Sequence, residues 1–317
     1  MPQRTALPDG LGPRFSYADA RLAGVTQARL RGRDLASPFR GVRTTRTLPT
    51  SPSREPGDAR ADLLLRAREL ATVLRPGEFF SHDTAAAVWG APLPSGADLG
   101  VLHVAVHEGH IRRMFGVSGH RMNERLTQVC RHDGLPVTDP ASTWASLGAW
   151  RGADLTAVGD FFCRVWRAGV GRPSAGRAPL ATPEQLRLAL AAGQRRGADT
   201  LRESLGLVRL DSWSPRETGC RLILLAAGLP EPALNCDVFA ADGAFLGCVD
   251  MAYPPERIAV EYQGRQHSDT YARDVERLAR LRAAGWIVIE VTAELYTRPD
   301  VLAARVRAAL NSRGGSE

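Results

Sequence analysis

A glutamate in the middle of an apolar, strand-forming run constrains this chain more than any other feature. The run is Ile258-Ala259-Val260-Glu261-Tyr262-Gln263. Burying an unpaired charge is expensive, so a fold that keeps Glu261 there must give it a partner or a use. Its surroundings, residues 243–267, read GAFLGCVDMAYPPERIAVEYQGRQH. Apolar residues alternate over Phe245-Leu246-Gly247-Cys248-Val249 and again over Ile258-Ala259-Val260, and the Pro254-Pro255 pair makes a tight connection, so two neighbouring strands run antiparallel. One carries Asp250 near its end. The other carries Glu261 and, two residues on, Gln263, which period-2 alternation puts on the same face.

An Asp opposite a Glu-x-Gln is a metal site in outline. A hard cation such as Mg²⁺ takes oxygen ligands, usually one or two carboxylates with waters and phosphate oxygens. It polarises a phosphoryl oxygen and generates the attacking hydroxide. The plainer alternative leaves Asp250 as a strand-end turn residue and pairs Glu261 with a nearby arginine.

The flanking segments set the order of elements. SPRETGCRLILLAAGLP has Ser214 at the N-cap, Pro215 at N1, Glu217 as capping-box partner and Gly228 as stop signal. DTYARDVERLARLRAAGW is an amphipathic helix ended by Gly285, and WIVIEVT is a strand. The order is helix, three strands, helix, strand. With VDMAYP, IAVEYQG-x-x-H and GW-x-V-I-x-V-T in place, residues 213–317 resemble the very-short-patch-repair (Vsr)-like endonuclease branch of the PD-(D/E)XK superfamily.

The resemblance implies a Mg²⁺ or Mn²⁺ ion held by Asp250 and Glu261, with Gln263 in the place of the motif lysine, positioning the water. It implies that Glu217 is the acid of the first helix, that His267 assists proton transfer, and that Asp274 and Arg277 are the polar pair of the second helix. Gln263 departs from the pattern, which is acidic in this branch and lysine in the wider superfamily; the chain contains no lysine at all. A glutamine orients a water or phosphate but supplies no charge. Taken by themselves, Glu217 serves equally as a capping-box acid, His267 as a solvated loop residue, and Asp274 with Arg277 as an i, i+3 surface ion pair.

A chain of 317 residues, 44% hydrophobic and 24% charged, has ample material for several domains. Its net charge of +7 suits a polyanionic partner such as DNA. Residues 1–60 hold eleven arginines against five acids. Within them SYADARLAGVTQARLRGRD has two short apolar-periodic segments broken at Gly24, with Thr26 placed to cap the second, and PFRGVRTTR reads as a short basic hairpin or wing. Gln27, Arg29, Arg31, Arg33 and Arg43 are the candidate DNA contacts here, and Arg265 and Arg277 those of the nuclease-like segment. The start resembles the winged helix of AbiEi-type antitoxins, and so does SHDTAAAVWGAPLP with HVAV and GLPVTDPASTWASLG. That likeness implies a toxin or phage-defence partner. A homodimer is compatible with a helix-turn-helix, although no heptad repeat supports one.

His103, His107 and His110 match no standard zinc spacing; they read as solvated imidazoles or as a phosphate-facing edge with Arg112 and Arg113. His82, beside Ser81 and Asp83, reads as part of a helix cap. No apolar run is long enough to span a membrane, the first residues lack a signal-peptide core, and the five cysteines show no paired spacing, so a cytoplasmic location with reduced thiols is expected.

The expected fold is thus α+β or α/β. It has a winged helix-turn-helix over 1–60 with flexible ends, an α/β middle module over 61–150, a helical connector over 151–212, and a PD-(D/E)XK (restriction-endonuclease-like) domain over 213–317 whose mixed sheet is flanked by helices. The expected function is a metal-dependent DNA endonuclease. The alternative is a noncatalytic DNA-binding regulator of the antitoxin type that retains the nuclease fold.

Overall fold

The computed structural model describes residues 5–45, 56–170, 172, 174–264 and 268–314, so Arg265 and His267 lie outside the described residues. The chain forms two compact units, Met1–Trp150 with Glu184–Ala198, and Arg151–Pro183 with Asp199–Glu317. Both are mixed α and β.

In the first unit, β1 (Arg14–Ser16) leads into α1 (Tyr17–Leu22) and α2 (Gln27–Leu30). Ser16 Oγ accepts from Asp19 N at 2.9 Å and Thr26 Oγ1 from Arg29 N at 3.2 Å, so each short helix has its side-chain cap. Gly24, at φ 81°, turns the chain between them. Phe15, Ala20, Val25 and Leu30 close a small apolar cluster. In the segment read as a hairpin or wing, the chain turns back at Gly41 (φ 85°), Val42 N donates to Phe39 O at 3.0 Å, and Ala36 and Thr44 exchange backbone hydrogen bonds of 2.8 and 3.0 Å as an antiparallel bridge. β2 (Val42–Thr44) also pairs with β1, antiparallel, with Phe15 opposite Arg43.

The rest of this unit is α3 (Pro56–Ala71), β3 (Phe79–Phe80), α4 (His82–Val88), β4 (Leu102–Val106), β5 (Val117–Arg121), β6 (Val129–His132), β7 (Leu135–Thr138) and α5 (Pro140–Ser146). The strands make one sheet in the order β5-β4-β3-β7-β6, with β4/β5 and β3/β7 parallel. Asp133 and Gly134, both at positive φ, form the two-residue β6–β7 turn. Leu63, Ala67 and Leu70 of α3 and Ala85 and Val88 of α4 pack on Leu102, Val104 and Val137 of the sheet.

The connector splits. α6 (Gly152–Cys163) and, from Asp199 on, α8 (Ala198–Gly206) belong to the second unit, whereas α7 (Pro183–Ala191) belongs to the first from Glu184 on. α6 packs on α9 (Pro215–Ala226) through buried polar side chains: Asp160 Oδ2 accepts from Arg221 Nη2 at 3.2 Å and from Thr218 Oγ1 at 2.7 Å. Arg221 is 0% exposed.

After α9 come β8 (Ala233–Phe239), β9 (Phe245–Tyr253), β10 (Ile258–Tyr262), α10 (Ser268–Ala283), β11 (Ile287–Val291), α11 (Ala293–Tyr296) and α12 (Pro299–Gly314). The sheet order is β11-β10-β9-β8; β8, β9 and β10 are an antiparallel meander, and α10 carries the chain over to β11, parallel to β10. Met251, Ile258, Val260 and Val291 pack with Leu224 of α9 and Leu302 and Val306 of α12. Ala252 and Ala259 pack with Leu278 and Leu281 of α10. Helices therefore cover both faces of the sheet. The last helix continues through Gly314. Among the described residues no helix is long and apolar enough to cross a membrane.

Candidate active site

The ladder between β9 and β10 runs through Ile258–Tyr253, Ala259–Ala252 and Val260–Met251 and stops there. Tyr262 N, further along β10, donates to a side chain, Asp250 Oδ2, at 2.8 Å. On the other side of β9 the β8 register skips Asn235 and Asp250, and Asn235 stands at φ 44°. Val249 and Met251, which strict alternation would place on one face, consequently join different apolar clusters. The two strands are antiparallel as their sequence implies, but the uninterrupted alternation assumed for them fails at Asp250. The sheet forks at this residue, and its carboxyl fills the fork.

Glu261, at 3% exposure, answers its own constraint with a partner from α10. Arg277 Nη1 donates to Oε1 at 2.7 Å and Nη2 to Oε2 at 3.1 Å, a two-pronged clamp, while Nη1 also reaches Cys248 O at 3.0 Å. Asp274 stands 3.8 Å from the same guanidinium. Gly247 makes room for this side chain, because a Cβ there would lie 2.8 Å from Arg277 Cδ. Arg277, expected to meet DNA, instead faces inward on the glutamate. The helix-surface pair with Asp274 exists as its spacing suggests, but it is part of a larger ion network.

Glu217 approaches from α9. Ser214 Oγ accepts from Glu217 N at 3.1 Å, and Glu217 Oε2 accepts from Trp213 N and Asn235 Nδ2, both at 2.9 Å. Its helix-capping role and its position near the strand acids are thus compatible. Burial drives the Asp250 carboxyl well above the usual range, the charges of Glu261 and Glu217 push it further, and the Tyr262 amide and Arg277 pull against them. The Glu261 carboxyl is likewise raised by burial, against the downward pull of Arg277, with Asp274 and Glu217 adding to the rise. Gln263 lies one residue beyond β10, half-buried, its backbone N donating to Val291 O at 2.9 Å. Glu290 of β11, absent from the sequence expectations, lies beside Glu261 in the parallel register and is paired with Arg282.

These donors are of the kind a hard divalent cation takes. Both oxygens of Glu261 are engaged by Arg277, however, so the ion would have to share that carboxylate with the guanidinium. Among the described residues the three metal-capable side chains with mutually close ligand atoms are not the acids; they are His82, His103 and His120, within 4.8 Å of one another. In sequence His103 groups with His107 and His110, with no zinc spacing among them; of that group only His103 belongs to this cluster. His107 Nδ1 donates to Met122 O at 3.1 Å, and His110 is exposed. His82 does not cap: it opens α4 at φ 49°, and Ser81 Oγ contacts its Nδ1 at 3.0 Å instead of an amide of the helix.

The candidate DNA contacts of the first unit divide in two. Gln27, Arg31 and Arg33 are exposed. Arg29 is held by Asp34 at 2.8 Å and donates to Thr5 O at 2.6 Å; Arg43 donates to Leu30 O and Ser37 Oγ and lies over the Tyr17 ring. A cleft of about 560 Å³ is lined by Arg75, His110, Ile111, Arg112, Arg113 and Met114. Arg112 is buried there on Glu78, at 3.1 Å from Nε to Oε1, which leaves Arg113 as the exposed arginine of the proposed phosphate-facing pair.

Compared with known proteins, the chain is 33% identical over 116 residues to "Uncharacterized protein MT2308" and, at the same identity and length, to "Uncharacterized protein Rv2248", from two strains of Mycobacterium tuberculosis. Each match covers 35% of this chain and 42% of the relative. No family model matches, and no solved structure matches.

Proposed function

We propose that the protein is a metal-dependent DNA endonuclease of the Vsr-like PD-(D/E)XK type, preceded by a DNA-binding winged helix-turn-helix of the AbiEi kind. One observation carries this reading: Glu217, Asp250 and Glu261 arrive from a helix and two adjacent strands in one dehydrated place, close enough to raise the affinity of the strand acids for protons. A fold without use for them has little reason to gather three like charges. The helix, three-strand meander, helix and parallel fourth strand support the same reading.

Asp250 and Glu261 would hold Mg²⁺ or Mn²⁺, which supplies Lewis acidity toward a phosphoryl oxygen and lowers the pKa of a bound water. Around it, Glu217 is oriented by Asn235 and the Trp213 amide, and Asp250 by the Tyr262 amide. Gln263, next in chain to Tyr262, would orient the attacking water by hydrogen bonding. Arg277 pulls Glu261 toward the ionised form, against the burial that favours the neutral acid.

Arg277 also favours the alternative, a noncatalytic DNA-binding regulator, because it already neutralises the carboxylate a metal would need. The test is nicking of supercoiled and mismatched plasmid with Mg²⁺ or Mn²⁺ by the parent, Asp250→Ala and Glu261→Ala. Cleavage by the parent that both substitutions abolish supports the nuclease. A folded parent that binds duplex DNA and leaves it intact supports the regulator.

A further inference from the structure

We propose that His82, His103 and His120 form a second metal site, for one borderline-soft divalent ion of the Zn²⁺ class, distinct in chemistry from the carboxylate cluster. Three separate elements supply it: the first residue of α4 and one residue each of β4 and β5. In the parallel β4–β5 register His120 stands opposite Ala105, two residues along from His103, so the pairing of the strands, not their sequence spacing, joins the rings. His103 Nδ1 and His120 Nε2 face each other at 2.9 Å. The rings of His82 and His120 stack with centroids 4.1 Å apart, and those of His103 and His120 at 5.0 Å.

Two imidazole nitrogens in contact need one proton between them. An ion takes that position by turning the proton-bearing tautomer over to the opposite ring nitrogen and widening the pair by a few tenths of an ångström, to about the spacing that 2.0–2.1 Å Zn–N bonds require. Ser81 Oγ engages His82 Nδ1; with the proton on Nδ1 and Ser81 Oγ accepting it, His82 Nε2 faces the ion, the arrangement by which outer partners orient metal-binding histidines. The rings are also held in the ligand form. Burial lowers His82 to about 3 and His120 to about 4, and lowers His103 as well, a direction that favours the neutral ligand form. Asp83 and Asp98 place negative charge near His103, while Arg196 opposes it at His82. Trp150 Nε1 donates to Asp83 Oδ1 at 3.2 Å, anchoring that carboxylate. Each histidine is half-buried, so an ion can enter. Three histidines leave coordination positions for water or an anion, the pattern of a reactive rather than a closed structural zinc site.

The experiment uses the full-length, untagged, chelator-stripped chain. Co²⁺ should bind one equivalent with intense tetrahedral d–d bands and no thiolate charge-transfer band, and Zn²⁺ should displace it while millimolar Mg²⁺ does not. His103→Gln and His120→Gln should each weaken binding by more than about a hundredfold, the upper end of what losing an outer-sphere partner costs. In the unsubstituted chain, imidazole ¹⁵N resonances of His82, His103 and His120 should shift with Zn²⁺ while those of His107, His110 and His132 stay in place, a readout that needs no variant to fold. A folded parent that binds no Co²⁺, a thiolate band that survives in the histidine variants, or unmoved resonances for the three rings would each overturn the site. None of these results depends on whether the carboxylate cluster cleaves DNA.

Discussion

Asp250 carries a stability cost that a purely structural aspartate would not. Its folded-state pKa lies above its unfolded one, because burial and the neighbouring Glu261 and Glu217 oppose its charge. The folded chain therefore binds that proton more tightly, and stability falls as pH climbs from the unperturbed aspartate value of about 3.9 toward the raised one. Asp250→Asn keeps an oxygen for the Tyr262 amide and removes the charge. In urea denaturation it should be more stable than the parent at pH 7, and the gap should close near pH 4. A variant no more stable than the parent at pH 7 would show that Asp250 is not under that strain. Arg277 works in the opposite sense. Arg277→Leu strips Glu261 of both its prongs inside the protein and should destabilise by about 3–5 kcal/mol, as expected when one partner of a buried pair is removed. Adding Glu261→Gln should restore most of it; failure of that rescue would mean that the arginine stabilises chiefly by packing over Gly247.

At the scale of elements, what was legible was local. Ser214 and Glu217 are three residues apart and announce the start of α9; Gly24 and Thr26 announce the break before α2; both pairs are in place. The order of elements from α9 to β11 follows from periodicities within each segment. Sheet regularity was not legible, because the fork at Asp250 accompanies a gap in the pairing and a positive φ at Asn235 on a different strand. Nor were the ion pairs between elements: Arg277 of α10 reaches Glu261 of β10, 16 residues away in sequence, and Arg221 of α9 reaches Asp160 of α6, 61 residues away. The same holds for His103 and His120, whose meeting depends on a parallel register that no spacing rule contains. The α6–α9 contact shows how much such a pair decides. Asp160 holds Arg221, Thr218 Oγ1 and the Arg209 amide, so a segment that reads as a connector is built into the unit. Asp160→Ala leaves Arg221 buried against a hole and should cost about 3–5 kcal/mol. A loss below about 1 kcal/mol in chemical denaturation would assign Arg221 to Glu231, its other acidic partner at 3.1 Å.

For the whole molecule the distinguishing property is a charge of +7 carried entirely by arginine over a chain with 34 acids. Most arginines described above are committed to carboxylates or backbone carbonyls and cannot also neutralise phosphates. Arg31 and Arg33, exposed beside the one-turn α2, are the best placed to do so. If duplex DNA is the partner, binding must weaken with salt, since each neutralised phosphate releases a counterion. With cleavage suppressed by EDTA, fluorescence anisotropy on a short duplex over a series of salt concentrations gives the slope of log affinity against log salt. The Arg31→Ala/Arg33→Ala pair should lower that slope by about 2 in magnitude, roughly 1 per lost phosphate contact, and weaken all sequences alike. Gln27→Ala should leave the slope unchanged and alter the preference among sequences, because an uncharged side chain reads base edges and neutralises nothing. A slope that the double variant leaves unchanged would move the phosphate contacts away from the N-terminal segment, and Arg113 at the mouth of its cleft would then be the residue to substitute next. A parent with no salt-dependent affinity for duplex DNA would remove nucleic acid as the partner of either functional reading, and with it the reason to seek a phosphodiester at Asp250 and Glu261.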